Sequence, residues 1–467
     1  MKGLYRALSR AIKQSILLER SRNYVRRPTH TCSANPERVE PNSHFFGYTR
    51  YVRLNIPALQ QIAGQIAGSQ CIEMTKMPEG LFNKVFSLKM ENGREILARI
   101  PNPNAGDPRL VVASEVATLD FLRTVLDVPV PTVLAWSSTR SLTRVNGRQL
   151  SEVWDAMSEA ERFGLVKSLV EIERKLVNVK FQHHGSLSVV KPTGSEKQFT
   201  SDFVIGPTTQ RSPWEDGTGQ LDIDRGPFLP QILPPQETLC PVLQHHDLHV
   251  DNIFVDSSDI AKISSIIDWQ AIYTAPLFMQ AKFPSIFDCD DPYPWGAVQP
   301  SLPKDFDTLS QPEKGMAEDT LTRLRLKKFY ELASRKFNRP LVTAMDAMRN
   351  DDDPTAFIFH IVGQTSEDGP LPLKELLLQI FSTWDQIMQR RGVTTPCPIS
   401  FSRDEIDQTG KQVEKWADAY GECESLRANI AGKDGWASHE EYDEAMSRWS
   451  DNRAKLELLQ GRLGKNL

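Results

Sequence analysis

The stretch "HHDLHVDN", residues 245–252, places three histidines, two aspartates and an asparagine within eight positions. Its composition leaves three readings open: a metal nest, a polar loop, or the floor of an active site. The residues directly after it narrow them. "NIFVD" and "AKISSIIDW" are apolar runs joined by an Asp256-Ser257-Ser258-Asp259 turn signal, so the stretch should lead directly into two paired strands. Asp247 and Asn252 then lie on the loop entering a hairpin, and Asp268 lies where that hairpin leaves. His246 and His249 would share a face only on a helix. A loop that enters a strand does not hold that spacing, which argues against a histidine metal centre.

Phosphoryl transfer needs such a set. One carboxylate orients the attacking hydroxyl and takes its proton, while an amide oxygen and a second carboxylate hold Mg²⁺ against the phosphates. Asp247, Asn252 and Asp268 fit those roles in order. The step of five from Asp247 to Asn252 is the D-x-x-x-x-N spacing of kinase catalytic loops, with His245 two residues ahead. Singly, each is an ordinary turn residue, because Asp and Asn are favoured where loops meet strands. The weight comes from the three together, with the hairpin between them.

Elsewhere in the chain, "CIEMTKM", "KVFSLKM" and "REILARIP" read as strands, the last two joined by the hairpin signal "ENG". "LNIPALQQIAGQIAG" before them and "VVASEVATLDFLRTVL" after them read as helices. Residues 150–180 are strongly helical, 185–239 have low periodicity, and the chain closes on a charged helical pair from about Arg403 to Leu467. The outline is a small strand-rich lobe containing one helix, then a larger helical lobe.

Length and composition are those of a globular chain of two or three domains. There are 467 residues, 40% of them apolar, and the charges are mixed in sign over most of the length. Nothing suggests a nucleic-acid-binding body, and no apolar run is long enough to span a membrane. Six cysteines without CxxC spacing argue against a zinc module and a disulfide framework. The first 27 residues differ, with eight Lys or Arg against the single acid Glu19 and apolar residues at helical spacing. That pattern is that of a mitochondrial transit peptide, and losing it would move the formal charge from −5 to about −12.

"HHDLHVDN" followed by "IIDWQ" resembles the aminoglycoside phosphotransferase family, whose pattern is H-x-D-x-x-x-x-N and then I-D-W or I-D-F. The similarity runs through most of residues 70–390. "EGLFNKVF", "ARIP", "ASEVATLDFLRTVL", "VPVPTVLAW" and "LFMQAKFP" further resemble a fungal mitochondrial branch of it. The resemblance implies an α+β, protein-kinase-like bilobal fold, with an antiparallel-sheet N-lobe carrying one helix and a larger helical C-lobe. It implies ATP and Mg²⁺ as cofactors, Asp247 as catalytic base, and Asn252 with Asp268 as metal holders. "PEGLFNKVF" becomes a phosphate-covering loop in which Gly80 lets backbone N–H groups approach and Asn83 adds a side chain. Arg99 becomes the third-strand cation and Glu115 its helix partner; His245 packs beneath the loop, and His249 lies near the phosphates.

Two departures are visible. Arg99 stands where the family has lysine, and its planar fork is no neutral replacement. Between Trp136 and Leu150 lies only "SSTRSLTRVNGRQ", with five Ser or Thr, three Arg and no apolar run from which to expect the strand and hinge that hold adenine. The expected division is therefore a transit peptide over 1–27, a linker over 28–53, an N-lobe over 54–148, a C-lobe over 149–402 and a helical extension over 403–467. The expected function is transfer of a phosphoryl group to a hydroxyl of a small molecule in mitochondria. The alternative, which the two departures motivate, is a catalytically silent kinase-like scaffold.

Overall fold

The computed structural model describes residues 52–463 apart from 53, 78–81, 103–104, 190–196, 199–201, 211–213, 215–220, 229–239, 289–291, 348–353, 359–360, 363–364, 366–368 and 432–441. Cys32–Met345 and Asp346–Leu467 fall in separate compact units.

The first unit opens with α1 (Ile56–Ala67), which starts where Asn55 Oδ1 accepts from the Ala58 N–H and ends at Gly68 with φ +64°. Leu59, Ala63 and Ala67, four apart, form its buried face. The strands β1 (Cys71–Lys76), β2 (Asn83–Met90) and β3 (Glu95–Pro101) follow as an antiparallel meander. Period-two alternation sends Ile96, Ala98 and Ile100 to the same core as Phe86, Leu88 and Met90. Arg99 therefore projects from the opposite face. Helix α2 (Pro108–Thr124) starts at Asp107, whose carboxylate accepts from the Arg109 N–H, and is buried on several sides, Glu115 included.

The stretch from which no strand is expected forms one. A hairpin of β4 (Thr132–Ser137) and β5 (Arg140–Arg144) completes a five-stranded sheet of order β1-β2-β3-β5-β4, with β5 an inner strand. Only Leu142, opposite Ala98, enters the apolar core. Ser141 and Thr143, opposite Arg99 and Leu97, belong to the other face and are buried as well. A strand whose second face is lined with buried hydroxyls has no apolar run, so the periodicity test misses it.

The chain then enters the larger lobe. The linker between the lobes is pinned to it: Ser264 Oγ donates to the Asn146 carbonyl (2.8 Å), and Gly147 adopts φ +95°. The two-residue β6 (Arg148–Gln149) pairs with a strand of the hairpin that follows residue 252. A short α3 (Leu150–Val153) and the long α4 (Glu159–Asn178), with its Ser158–Glu161 capping box, follow. Strands β7 (Ser186–Val189), β8 (Lys197–Gln198) and β9 (Phe203–Gly206) make a small sheet. Next come β10 (Pro241–Leu243), the hairpin β11 (Ile253–Val255) and β12 (Ile263–Ile266), and β13 (Thr274–Pro276), which returns to β10. The hairpin turn is closed by Asp256 Oδ1, which accepts from the Ser258 and Asp259 N–H groups.

Helices α5 (Leu277–Gln280), α6 (Gln311–Phe337) and α7 (Arg339–Ala347) continue the lobe. Tyr330 on α6 donates its hydroxyl proton to Glu173 on α4 at 2.7 Å, both side chains being fully buried. On the next residue, Glu331 accepts from Lys328 (2.6 Å), Tyr293 (2.5 Å), Arg335 (2.9 Å) and the Gly296 N–H (2.9 Å), which latches the 293–296 loop to α6. The sheet lobe and this helical lobe together make the α+β, kinase-like bilobal architecture that the resemblance implies.

The second unit is helical: α8 (Leu371–Arg391), α9 (Arg403–Ala431) and α10 (Tyr442–Arg462). α9 and α10 are joined by a Lys455–Glu422 ion pair (2.7 Å) and by Arg448, which donates to the Ile430 carbonyl. Trp416 stacks on Tyr420 one turn along its own helix, and Arg453 lies over Trp449. No helix among the described residues is long and apolar enough to cross a membrane.

Candidate active site

Arg99 is the hub. Its Nη1 donates to Glu115 Oε1 on α2, and its Nη2 donates to Asp268 Oδ1 beyond β12. Nη2 also faces Gln270 Oε1 at 3.4 Å. With the Asn83 amide turned to satisfy both neighbours, its oxygen accepts from Arg99 Nη2 (2.7 Å) and its nitrogen donates to Gln270 Oε1 (2.9 Å). Asn83, Arg99, Glu115 and Asp268 therefore form one polar cluster around the guanidinium, with Gln270 beside Asn83 and Arg99. Gly80 lies outside the described residues.

Burial pushes the Glu115 carboxyl up, and Arg99 offsets only part of this because Asp268 adds repulsion. At Asp268 burial acts upward too, but Arg99, His245 and His249 hold its carboxyl below the ordinary range. Asp268 also stands at φ +65° and Ala271 at +57°, so the turn after the hairpin is a backbone conformation that tertiary contacts sustain. Trp269 between them is fully buried, its indole N–H donating to the Ile266 carbonyl (2.8 Å).

The three histidines of the opening stretch point to three different partners. His245 Nδ1 accepts from the Asp247 N–H (3.2 Å), so its Nε2–H is the donor to the Ile267 carbonyl (2.9 Å). Its ring stands edge-on to Trp269, beneath the loop, and burial keeps it neutral. His246 meets Gln280 Oε1 (2.8 Å), and burial drives its pKa down to about 4. His249 sits between Asp247 Oδ2 (3.3 Å) and Asp251 Oδ2 (3.4 Å). Burial opposes its charge, yet the two carboxylates carry its pKa up to about 9, while the Asp251 N–H donates to Nδ1 at 3.2 Å and so favours the neutral ring. No cluster of three or more His, Cys, Asp or Glu able to hold a metal occurs among the described residues.

The loop and the hairpin exit are tied through Asn252. Its side-chain N–H donates to the Asp247 carbonyl (2.9 Å), and its own carbonyl accepts from the Ile267 N–H (2.9 Å), one residue before Asp268. With the amide nitrogen anchored, Asn252 Oδ1 is the atom left to meet a cation. Asp247 Oδ2 is shared with His249, whereas Oδ1 is buried without a hydrogen-bond donor among the described residues. A carboxylate oxygen left so is what a site built around a further polar group presents. An amide oxygen and one carboxylate are hard donors, the type that suits Mg²⁺ when phosphates and water supply the remaining ligands.

Two participants escaped the motif reading. Gln270, two residues past Asp268, accepts from Asn83 and faces Arg99; its signal is the final letter of "IIDWQ". Asp251 is the second anchor of His249, and the carboxylates at 247 and 251 flank that histidine at two residues either side.

Residues 73–279 match the model of the APH phosphotransferase enzyme family. A subtelomeric hrmA-associated cluster protein of Aspergillus fumigatus is 28% identical over 77% of this chain and 87% of its own length. Altered inheritance of mitochondria protein 9, mitochondrial, of Saccharomyces cerevisiae is 21% identical over 83% of this chain and 76% of its own. A solved gentamicin–APH(2")-IIa complex overlaps 71% of this chain and 97% of that one, at 13% identity and a TM-score of 0.35, too low a likeness to carry residue correspondences.

Proposed function

We propose, from the match of residues 73–279 to the phosphotransferase enzyme family model, that this protein transfers the γ-phosphoryl group of ATP to a hydroxyl of a small molecule in mitochondria. The observation that carries the reading is the hydrogen-bonded chain from Asp247 through Asn252 to the residue before Asp268, closed on the other side by Arg99 and Glu115. Asp247 orients the acceptor hydroxyl and receives its proton as the new oxygen–phosphorus bond forms and ADP leaves. Asn252 and Asp268 would hold Mg²⁺, which would supply charge neutralisation for the phosphates. Arg99 and Asn83 face the phosphates, and Gly80 is assigned to phosphate binding by the motif alone. His249, fixed between two aspartates, keeps the Asp247 carboxylate in one orientation.

Residues 1–27 serve as the transit peptide and 28–53 as a linker; 54–148 and 149–402 are the two lobes, and 403–467 is a helical extension. Two observations support the mitochondrial destination, the basic amphipathic start and the mitochondrial name of the yeast relative. Calorimetry with the purified protein tests the chemistry: Mg²⁺-dependent ATP binding is expected, and Asp268→Ala abolishes it. No heat at millimolar ATP with the unsubstituted chain overturns the proposal.

A silent kinase-like scaffold is the second reading, favoured by Arg99 closing directly on Asp268. Asp247→Asn separates the two. Failure of that variant to complement a deletion supports transfer, and full complementation supports the scaffold.

A further inference from the structure

We propose that Arg99 is a built-in counter-ion of Asp268, so that a divalent cation enters this site only together with a polyphosphate that takes over the guanidinium. The inference rests on the nucleotide-binding reading above and concerns the order in which that site fills.

The geometry is specific to arginine. Two different nitrogens of one rigid, planar group reach two carboxylates on separate elements, Nη1 to Glu115 and Nη2 to Asp268. Asn83 and Gln270 surround the same Nη2. A lysine carries its three N–H donors on one nitrogen at the end of a flexible stem, so it lacks the rigid fork that presents separated nitrogens to the two carboxylates and holds Asp268 less firmly. Arg99 is also permanently charged, so a rise in pH does not release Asp268 within any ordinary range. A cation seeking Asp268 Oδ1 must displace a neutralising group already hydrogen-bonded there.

An incoming polyphosphate changes the exchange. Phosphate oxygens offer Nη2 an equally good acceptor, and guanidinium–phosphate contacts are strong. The Asp268–guanidinium contact is then replaced by a phosphate–guanidinium contact, and the freed carboxylate faces the cation. Binding of either partner favours binding of the other, and the coupling is reciprocal. Nη1 and Glu115 stay paired throughout, which keeps the guanidinium in register while Nη2 changes partner.

The test uses Mn²⁺, followed by its paramagnetic resonance signal, with the full chain alone and with a non-hydrolysable ATP analogue. The unsubstituted chain is expected to bind Mn²⁺ alone about 10-fold or more weakly than Arg99→Lys, a span within the usual range of linked sites, and the analogue should close most of that gap. Arg99→Gln should resemble Arg99→Lys; because it strips buried Glu115 of its cation, thermal melts accompany it, and Arg99→Lys alone decides if it is misfolded. Adding Asp268→Asn to Arg99→Lys should remove the gained site. If the unsubstituted chain binds Mn²⁺ alone as tightly as Arg99→Lys does, the counter-ion inference is wrong while nucleotide binding stands. If no form binds Mn²⁺ even with the analogue, the nucleotide reading falls and this inference with it.

Discussion

Replacing Glu173 by glutamine should reverse the sign of its effect on stability between pH 5 and pH 7.5. Glu173 is buried on α4 and accepts from the Tyr330 hydroxyl at 2.7 Å. Burial raises its carboxyl, and the tyrosine bond offsets only part of that rise, which leaves a pKa of about 8 against an ordinary value of 4.5. Between those values the folded chain keeps a proton that the unfolded chain has released. The stabilisation is thus complete below pH 4.5 and is lost as pH climbs towards 8. Each pH unit in that window is worth at most about 1.4 kcal/mol, so the span from pH 5 to 7.5 carries about 3 kcal/mol as an upper bound. Glutamine keeps an acceptor for Tyr330 and never ionises, but its amide N–H groups need partners, a penalty of about 1 kcal/mol. Glu173→Gln should therefore be less stable than the parent by about 1 kcal/mol at pH 5 and more stable by about 2 kcal/mol at pH 7.5. His249, with its pKa carried up to about 9, loses its own stabilisation between 6.5 and 9, with the same sign, but it is present in both proteins and cancels in the comparison. Urea unfolding followed by tryptophan fluorescence and circular dichroism at the two pH values measures the difference. A ΔΔG that does not change with pH refutes the reasoning.

Gly147→Ala should cost about 3 kcal/mol or more, from left-handed strain of about 1–2 kcal/mol plus overpacking. An added Cβ would stand 2.3 Å from the Val255 carbonyl oxygen and 2.1 Å from Ser264 Oγ, and the carbonyl cannot rotate away. A loss under about 1 kcal/mol in urea would contradict this. Glu331→Ala should cost about 3–5 kcal/mol by stranding the buried Lys328 ammonium, whereas Glu331→Leu with Lys328→Met should recover most of that; equal losses in the two proteins would refute the stranded-charge account. A fluorescent fusion of the full chain should co-localise with mitochondria and one lacking residues 1–27 should not; identical distributions would remove the transit-peptide reading.

The parts of the fold that come from repeating patterns were legible in the sequence. The alternation in "REILARIP" separates Ile96, Ala98 and Ile100 from Arg99, and the hairpin after residue 252 is announced by two apolar runs around a turn. The strand Arg140–Arg144 was not legible, because its burial rests on Ser141 and Thr143, residues that a hydropathy pattern counts as polar. Contacts between distant positions were legible only where a family motif supplied them. The approach of Arg99 to Glu115 was expected from the motif, whereas the junction of Asn83, Arg99 and Gln270 spans more than 160 residues and leaves no periodic trace. The left-handed backbone at Asp268 is equally silent, since an aspartate there reads as any loop residue. Buried ionisable pairs such as Glu173–Tyr330 look, along the chain, like members of ordinary amphipathic helices.

The Ile286 N–H donates to the Leu248 carbonyl at 2.9 Å, so the segment from 283 to 287 is fastened to the 245–252 loop through main-chain atoms. A main-chain tether is indifferent to which side chains flank it. Substitutions along that segment can therefore remodel the neighbourhood of Asp247 without loosening the loop itself. Descendants of such a chain can vary the lining beside the 245–252 loop while the loop itself is inherited intact.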